Sequence, residues 1–457
     1  MLLEKNPELQ KYRWLEISSQ RLIIMPAIII ISILAFASFQ DGNIRTEVNY
    51  MAYSAFIIIT IWWGSKNASD SIINEINDNT WDWQQMSAQS PWRMTIGKIF
   101  GSTIYNWYGG IICLFVYVLT INPSEFGASF SKIIQVVLGA ITFNSLAILL
   151  ALQKVKRKSN RKKLKSNLIL LIIILFSSSY FTTSLSKFSG SLKSASWYNL
   201  EINPYAALVV SSLFYAFWAV VGVYRSLREE LKFKQGIKYW IIFLISNAFF
   251  FSGFYIGALS EFAQINIPTF VFLFSFATYA ILSYVMLFNE NKSFSLLRYL
   301  VYQYEQKNFR KIFENIPLWV PTVAITLVLG ILTLISFAFG GFIENVPVRF
   351  DIQIVSFPLF IANVVAFMLR DFFVILLINF SKHNQRADAV SLLYLVCVYA
   401  LLPTIFISVD LAYLFIPAYK GNALLSTFFA IIEASVVGYF LFTQIAQRFK
   451  ALNDLSE

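Results

Sequence analysis

Long apolar runs recur along the whole chain, and they leave few architectures open. A helix needs about 20 predominantly apolar residues to cross the hydrocarbon of a bilayer. Twelve such spans can be drawn, at about 22–39, 50–64, 103–121, 132–152, 167–182, 203–223, 239–259, 267–288, 318–341, 353–379, 389–409 and 423–446. The runs are continuous, without the ten-residue alternation of a membrane β-barrel. Only 13% of the residues are charged, about half the share in a soluble protein. The expected fold is therefore all-α: a polytopic helical membrane protein with about 12 transmembrane helices. The first run follows a polar lead of 21 residues and reads as an uncleaved span.

Basic residues fix the expected orientation. With the N-terminus in the cytoplasm, 30 of the 36 Lys and Arg fall on the inner side. The outer side keeps only Arg45, Lys132, Lys187, Lys193, Arg349 and Lys420. Both termini are then cytoplasmic, and the net charge of +11 reflects loop placement, not nucleic-acid binding. Trp62, Trp63, Trp107, Trp197, Trp240 and Trp319 lie near span ends, where amphipathic rings suit the headgroup layer.

The span pattern repeats. Residues 1–232 and 233–457 each hold six spans, and in each half the longest inner loop follows the second span. Those loops are 65–102 and 289–317. Six is even, so the halves are expected to point the same way, as two parallel six-helix repeats about an axis along the membrane normal.

The first of these loops contains EINDNTWDWQQMSAQSPWRMTIGK, from Glu75 to Lys98. This stretch resembles the helix-turn-helix after the second span in membrane subunits of type 2 ATP-binding-cassette exporters. Glu75 stands five residues before Thr80, Thr80-Trp81-Asp82 replaces T-L-E, and Ser90-Pro91-Trp92 precedes Gly97-Lys98 at the family spacing. Asn79 replaces the usual Gly, Ala88 the first Pro, and Trp81 and Trp83 the usual leucines. The resemblance implies a coupling helix that docks in a groove of the ATPase subunit, with Glu75, Thr80, Trp81, Asp82, Trp83, Pro91, Trp92, Gly97 and Lys98 as the coupling residues. Three tryptophans suit an interface anchor; the plainer reading is an interfacial helix with its rings in the headgroups.

Other features are weaker. Residues 7–20 read as a surface helix, which the resemblance makes the elbow helix before the first span. In 289–317, Leu296, Leu297, Leu300, Tyr304 and Phe309 have amphipathic spacing, fitting a second coupling helix or an interfacial one. The run Lys154–Lys165 carries eight basic residues and reads mainly as an orientation signal, otherwise as a contact for anionic lipid or an acidic ATPase face. Glu433 falls in mid-span, where a carboxylate costs about 2.5–3.5 kcal/mol; it needs a partner, a cavity or a proton. Arg370 and Asp371 are neighbours, so their side chains are expected to diverge on a helix and to pair with other spans, or Arg370 to snorkel. These three are the candidate substrate-path or intramembrane polar residues.

Several chemistries lack material. Cys113 and Cys397 sit in apolar runs without disulfide or metal spacing, and His383 is the one histidine. No G-x-x-x-x-G-K-[ST] phosphate loop occurs. The exporter resemblance thus implies no cofactor and no enzyme activity in this chain. ATP and Mg²⁺ would belong to a separate ATPase subunit, in two copies, with lipids and an unknown exported substrate as the other partners. The rival expectation is a twelve-span secondary transporter driven by an ion gradient. Lys, Asn and Ile usage hints at a bacterium, and the expected location is then its inner membrane.

Overall fold

The computed structural model describes residues 6–38, 44–87, 89–123, 126–157, 195–198, 200–231, 233, 236–259, 267–290, 292–338, 357–381, 387–417 and 423–453. The expected span at 167–182, the basic run beyond 157, Ala88 and His383 lie outside the described residues. What is described is mostly helical; the exception is a strand pair, β1 (Ala195–Trp197) and β2 (Leu200–Ile202). Six of the described helices are long and apolar enough to cross a membrane, or eight if each of two bent pairs is one span. The chain is an integral membrane protein of the helical class.

Contacts divide it into two units. Unit 1 comprises 1–195 and 201–235, unit 2 comprises 196–200 and 236–457. Unit 1 begins with α1 (Pro7–Glu16) and α2 (Ser19–Ser38), bent by 70° at their junction. Next come α3 (Ile44–Phe56), a π-helical stretch Ile57–Trp63, and α4 (Gly64–Asn77). Two short helices, α5 (Trp81–Met86) and α6 (Pro91–Ile96), lead through a π turn, Gly97–Gly101, into α7 (Ile104–Thr120). Then α8 (Phe126–Arg157) and α9 (Pro204–Glu230) pack on each other and on α4 and α6 respectively.

Lipid is as apolar as leucine, so burial drives helix association less here than close packing and polar contacts do. The π stretch in unit 1 illustrates this. Asn106 Nδ2 donates to Ile59 O at 2.9 Å, and Asn67 Nδ2 donates to Asn106 Oδ1 at 2.8 Å. A carbonyl loosened by the wide π turn is thereby satisfied. Each such side-chain bond contributes about 0.6 kcal/mol.

Unit 2 holds α10 (Lys238–Leu259), α11 (Ile267–Asn289), α12 (Phe294–Glu305), α13 (Phe309–Asn315), α14 (Trp319–Ala338), α15 (Phe357–Asn379) and α16 (Ala387–Val396). A π turn, Cys397–Leu401, continues α16 into α17 (Leu402–Phe406), and α18 (Ala423–Asn453) ends the unit. The pair α15/α18 packs along its length, joined by Asn363 Nδ2 to Ser426 Oγ at 2.9 Å. The pair α11/α14 is joined between Ser283 and Thr326 hydroxyls, also at 2.9 Å.

Candidate functional site

The segment that bears the family resemblance folds as a hairpin of short helices. Helix α4 ends in a Schellman turn: Thr80 N donates to Glu75 O at 2.9 Å, and Asn79 N to Ile76 O at 3.3 Å. Asn79 takes the left-handed position at φ 57°. Asparagine tolerates that region better than most L residues, which explains how it stands where the family has glycine. Thr80 Oγ1 also donates to Glu75 O, at 3.1 Å. Asp82 is exposed in the first turn of α5, where a carboxylate faces the positive end of the helix. Ser90 caps α6 by accepting from Arg93 N at 3.4 Å, and Pro91 fills the first helical position.

The two ends of the motif meet. Lys98 is fully buried (0% exposed) and its Nζ bonds Glu75 Oε2, Glu8 Oε1 at 2.6 Å and the Tyr12 hydroxyl at 3.2 Å. Glu75 Oε1 accepts from Lys11 Nζ at 2.6 Å, Gln84 Nε2 at 2.8 Å and Tyr12 OH at 3.2 Å. One step along, Asn6 Nδ2 donates to Arg93 O at 2.7 Å. Helix α1 is thus stitched to α4, α5, α6 and the π turn through its charged face. A side chain at Gly97 would put Cβ 2.6 Å from Glu8 Cβ, and one at Gly101 would put it 2.9 Å from Tyr12 Cδ2. Glycine at both positions is what lets α1 come this close. The π turn aims Lys98 into the cluster, and Ser102 Oγ donates to the freed Lys98 O at 2.6 Å.

Burial alone would raise the Glu75 carboxyl, but Lys98 and Lys11 outweigh it and hold the group below its ordinary value of 4.5. Burial and the two neighbouring carboxylates, Glu75 and Glu8, push the Tyr12 phenol far up, so it remains a neutral donor. Glu75 and Lys98 are therefore an internal brace, buried between α1, α4, α5 and the π turn.

The tryptophans divide. Trp81 is 5% exposed and belongs to the core with Ile72, Ile73, Met94 and Ile148. Trp83 and Met86 are each 75% exposed, on the outer side of α5. Trp92 is half-exposed, with its ring edge-on to Tyr224 at 5.5 Å. The outward-facing members of the motif are thus Thr80, Asp82, Trp83 and Trp92, with Met86 added by the structure.

The intramembrane candidates also converge, in unit 2. Asp371 is 0% exposed and accepts five hydrogen bonds. Its Oδ1 takes Arg370 Nε at 3.1 Å, Arg370 Nη2 at 3.0 Å and Tyr394 OH at 3.2 Å. Its Oδ2 takes Tyr284 OH at 2.8 Å and Tyr399 OH at 2.6 Å. Arg370 Nη1 donates to Glu433 Oε2 at 3.0 Å. The expectation that Arg370 and Asp371 diverge is corrected here. The guanidinium is long enough to curl back, and a buried carboxylate gains more from its neighbour's fork than either gains apart. Arg370 does not snorkel; it is buried over the Phe367 ring at 4.5 Å. Glu433 has Arg370 as its partner and is itself half-buried.

Unit 2 has its own hairpin, built on the same backbone turn. Asn308 N donates to Gln303 O and Lys307 N to Tyr304 O, both at 2.9 Å, and Lys307 sits at φ 54°. Each of these positions is 228 residues beyond its counterpart (307 − 79). At the same offset Glu75 becomes Gln303, and Lys98 becomes Thr326, both buried and neutral. Among the described residues, no three His, Cys, Asp or Glu side chains gather as metal ligands. No protein-family model, curated protein or solved structure matches the chain.

Proposed function

We propose that the chain is the membrane translocation subunit of a type 2 ATP-binding-cassette exporter, driven by ATP hydrolysis in a separate ATPase subunit. In this reading the chain has twelve spans in two parallel six-helix repeats, with both termini cytoplasmic, in a bacterial inner membrane. The observation that carries it is the α5 hairpin: an exposed Trp83–Met86 surface on a short helix braced from behind by buried ion pairs. A contact that transmits force between two proteins needs an apolar grip and a rigid base, and this hairpin has both. The turn repeated 228 residues later supports the duplicated arrangement. Two ATPase copies would close on ATP, pull α5 through Trp83, and pass the motion to α1, α4 and α7, opening a path for an unidentified substrate.

The test is co-purification. The chain is co-expressed with an ATP-binding-cassette ATPase subunit from its own genome, wild type against Trp83→Ala/Met86→Ala, and the complex is purified through the chain. Both side chains are exposed, so the variant should insert and fold normally yet lose its ATPase. Trp81 is unsuited to this test, because truncating a buried tryptophan costs about 3–5 kcal/mol. Unchanged co-purification of the folded variant rejects the reading.

One observation favours the second reading, a secondary transporter: the Arg370–Asp371–Glu433 cluster lies within apolar helices. Transport in sealed vesicles on an ion gradient alone, lost in Glu433→Gln, would select it.

A further inference from the structure

The hairpin of unit 2 exposes a surface of a different kind from that of α5. The start of α12 is tied down: the Phe294 ring meets those of Phe380 and Phe449 at 6.4 and 5.1 Å, and the Arg448 guanidinium lies 5.5 Å over it. The far end faces outward. Tyr302, Tyr304, Phe309 and Phe313 are all more than half exposed. Tyr304 and Phe309 pack edge-on across the turn at 6.2 Å. Around them stand the exposed cations Lys307, Arg310 and Lys311, with Arg298 one helical face back. Arg310 reaches Glu314 at 3.2 Å but remains open to solvent, a contact too exposed to neutralise it.

The equivalent stretch of unit 1 has the opposite sign. Residues 78–87 carry Asp78 and Asp82 and no cation, a formal −2. Residues 306–315 carry Lys307, Arg310, Lys311 and Glu314, a formal +2. A socket that suits one hairpin is therefore electrostatically wrong for the other. Connectivity also differs from that of a free-standing loop. The hairpin leaves α11 at Asn289 and re-enters α14 at Trp319, both strongly apolar helices. The first connecting helix, α12, is about 18 Å long, which bounds how far the hairpin can stand from the end of α11. Exposed aromatic rings interleaved with Lys and Arg match the chemistry of an anionic headgroup layer.

We propose that the α12–α13 hairpin is a lipid-binding surface: Lys307, Arg310 and Lys311 bind anionic lipid headgroups while Tyr304, Phe309 and Phe313 enter the acyl boundary. The surface works whether the chain is driven by ATP or by an ion gradient, so its failure and the failure of the exporter reading are separate results. Under the exporter reading it has a mechanical consequence. The ATPase pair pulls through the unit 1 hairpin, and the unit 2 hairpin holds against the membrane.

The experiment uses the full chain carrying Phe313→Cys, in nanodiscs of phosphatidylcholine alone or of phosphatidylcholine mixed with phosphatidylglycerol. The readout is the rate at which a water-soluble maleimide labels position 313, with the protein lacking the new cysteine as blank. One basic residue near an anionic surface strengthens attachment about fivefold. Labelling should therefore slow at least about fivefold in the anionic discs and recover in high salt. Adding Lys307→Glu, Arg310→Glu and Lys311→Glu should remove the difference. Equal rates in the two bilayers overturn the proposal, as does a slowing that salt and the charge reversals leave intact. Protection in native membranes that disappears in purified discs of either composition overturns it in favour of a protein partner.

Discussion

The two units keep their buried charge in different places. Unit 1 holds it at the base of its hairpin, where Lys98 sits between Glu8 and Glu75, and contacts between its helices use neutral amides such as Asn67 and Asn106. Unit 2 has the neutral Gln303 and Thr326 at the positions matching Glu75 and Lys98. Among the described residues its buried cations are Lys292, paired with Asp388 at 2.9 Å just before α12, and Arg370, paired with Asp371 and Glu433 inside helices. The backbone turn is the same in both, down to its two defining hydrogen bonds. The same backbone turn thus stands beside different side-chain chemistry in the two units: Glu75 and Lys98 in one, Gln303 and Thr326 in the other.

The sharpest way to break this contrast is to remove the ionic lock that Lys98 makes with Glu8 and Glu75. Lys98→Met leaves Glu8 and Glu75 buried with only the partly exposed Lys11 as a cation, and breaking a buried ion pair costs about 3–5 kcal/mol. Thr326→Val at the matching position removes one neutral hydroxyl, a loss of about 0.5–1.5 kcal/mol. Apparent unfolding temperatures of the two variants in detergent should differ widely, with Lys98→Met far lower. Restoring neutrality with Glu8→Gln and Glu75→Gln beside Lys98→Met should recover part of the loss. Equal destabilisation at 98 and 326 would show that the ionic lock is not what distinguishes the units.

A second variant tests whether α1 belongs to that lock. Gly97→Ala places a methyl 2.6 Å from Glu8 Cβ, and both atoms sit on backbone that cannot turn away. Overpacking of this kind costs about 1–3 kcal/mol. The expected outcome is a lowered unfolding temperature and faster protease cleavage within residues 6–16 than in wild type. Cleavage at the wild-type rate would mean that α1 does not depend on the close approach.

How much of this was legible beforehand follows from separation along the chain. The helical membrane class follows from continuous apolar runs, a local property. Arg370, Asp371 and Glu433 stand out as single residues because charge is rare in apolar runs, and Glu75 and Lys98 stand out only through the motif that 75–98 resembles. Their partners do not stand out. Lys11 and Tyr12 reach Glu75 across 64 and 63 positions, and Tyr284 reaches Asp371 across 87. No periodicity within one helix encodes such pairs. The inward turn of Trp81 was equally hidden, since a short helix with three tryptophans nearby does not say which ring meets the core. Gly101 carried a weak signal: with Gly97 it forms a G-x-x-x-G step, a pattern that permits close helix approach.

Acid should erode unit 1 through Glu75, whose matching position in unit 2 is the neutral Gln303. The Glu75 carboxyl is held below its ordinary 4.5 by Lys98 and Lys11. A depressed folded value means that the charged carboxylate stabilises the fold fully above the ordinary value, and that this contribution is lost as pH falls through the folded one. Unfolding temperatures of wild type and Glu75→Gln, followed from about pH 7 down to about pH 3, should start apart and converge in acid. Parallel curves would show that Glu75 contributes nothing as a charge.

The smallest expected effect separates the two turns themselves. Asn79 and Lys307 hold the same left-handed position, at φ 57° and 54°. Asparagine visits that region readily, whereas lysine pays about 1–2 kcal/mol for it. Glycine removes the strain but costs about 0.5–1 kcal/mol in chain entropy. Lys307→Gly should therefore gain about 0.5 kcal/mol, and Asn79→Gly should change stability little or slightly for the worse. Unit 2 thus keeps a residue that its backbone disfavours, at a point where the side chain is exposed and cationic. If Lys307→Gly gains stability in detergent while weakening protection of position 313 in anionic nanodiscs, the strain is retained for the charge. If it alters neither, the lysine has no role that either turn geometry or surface charge explains.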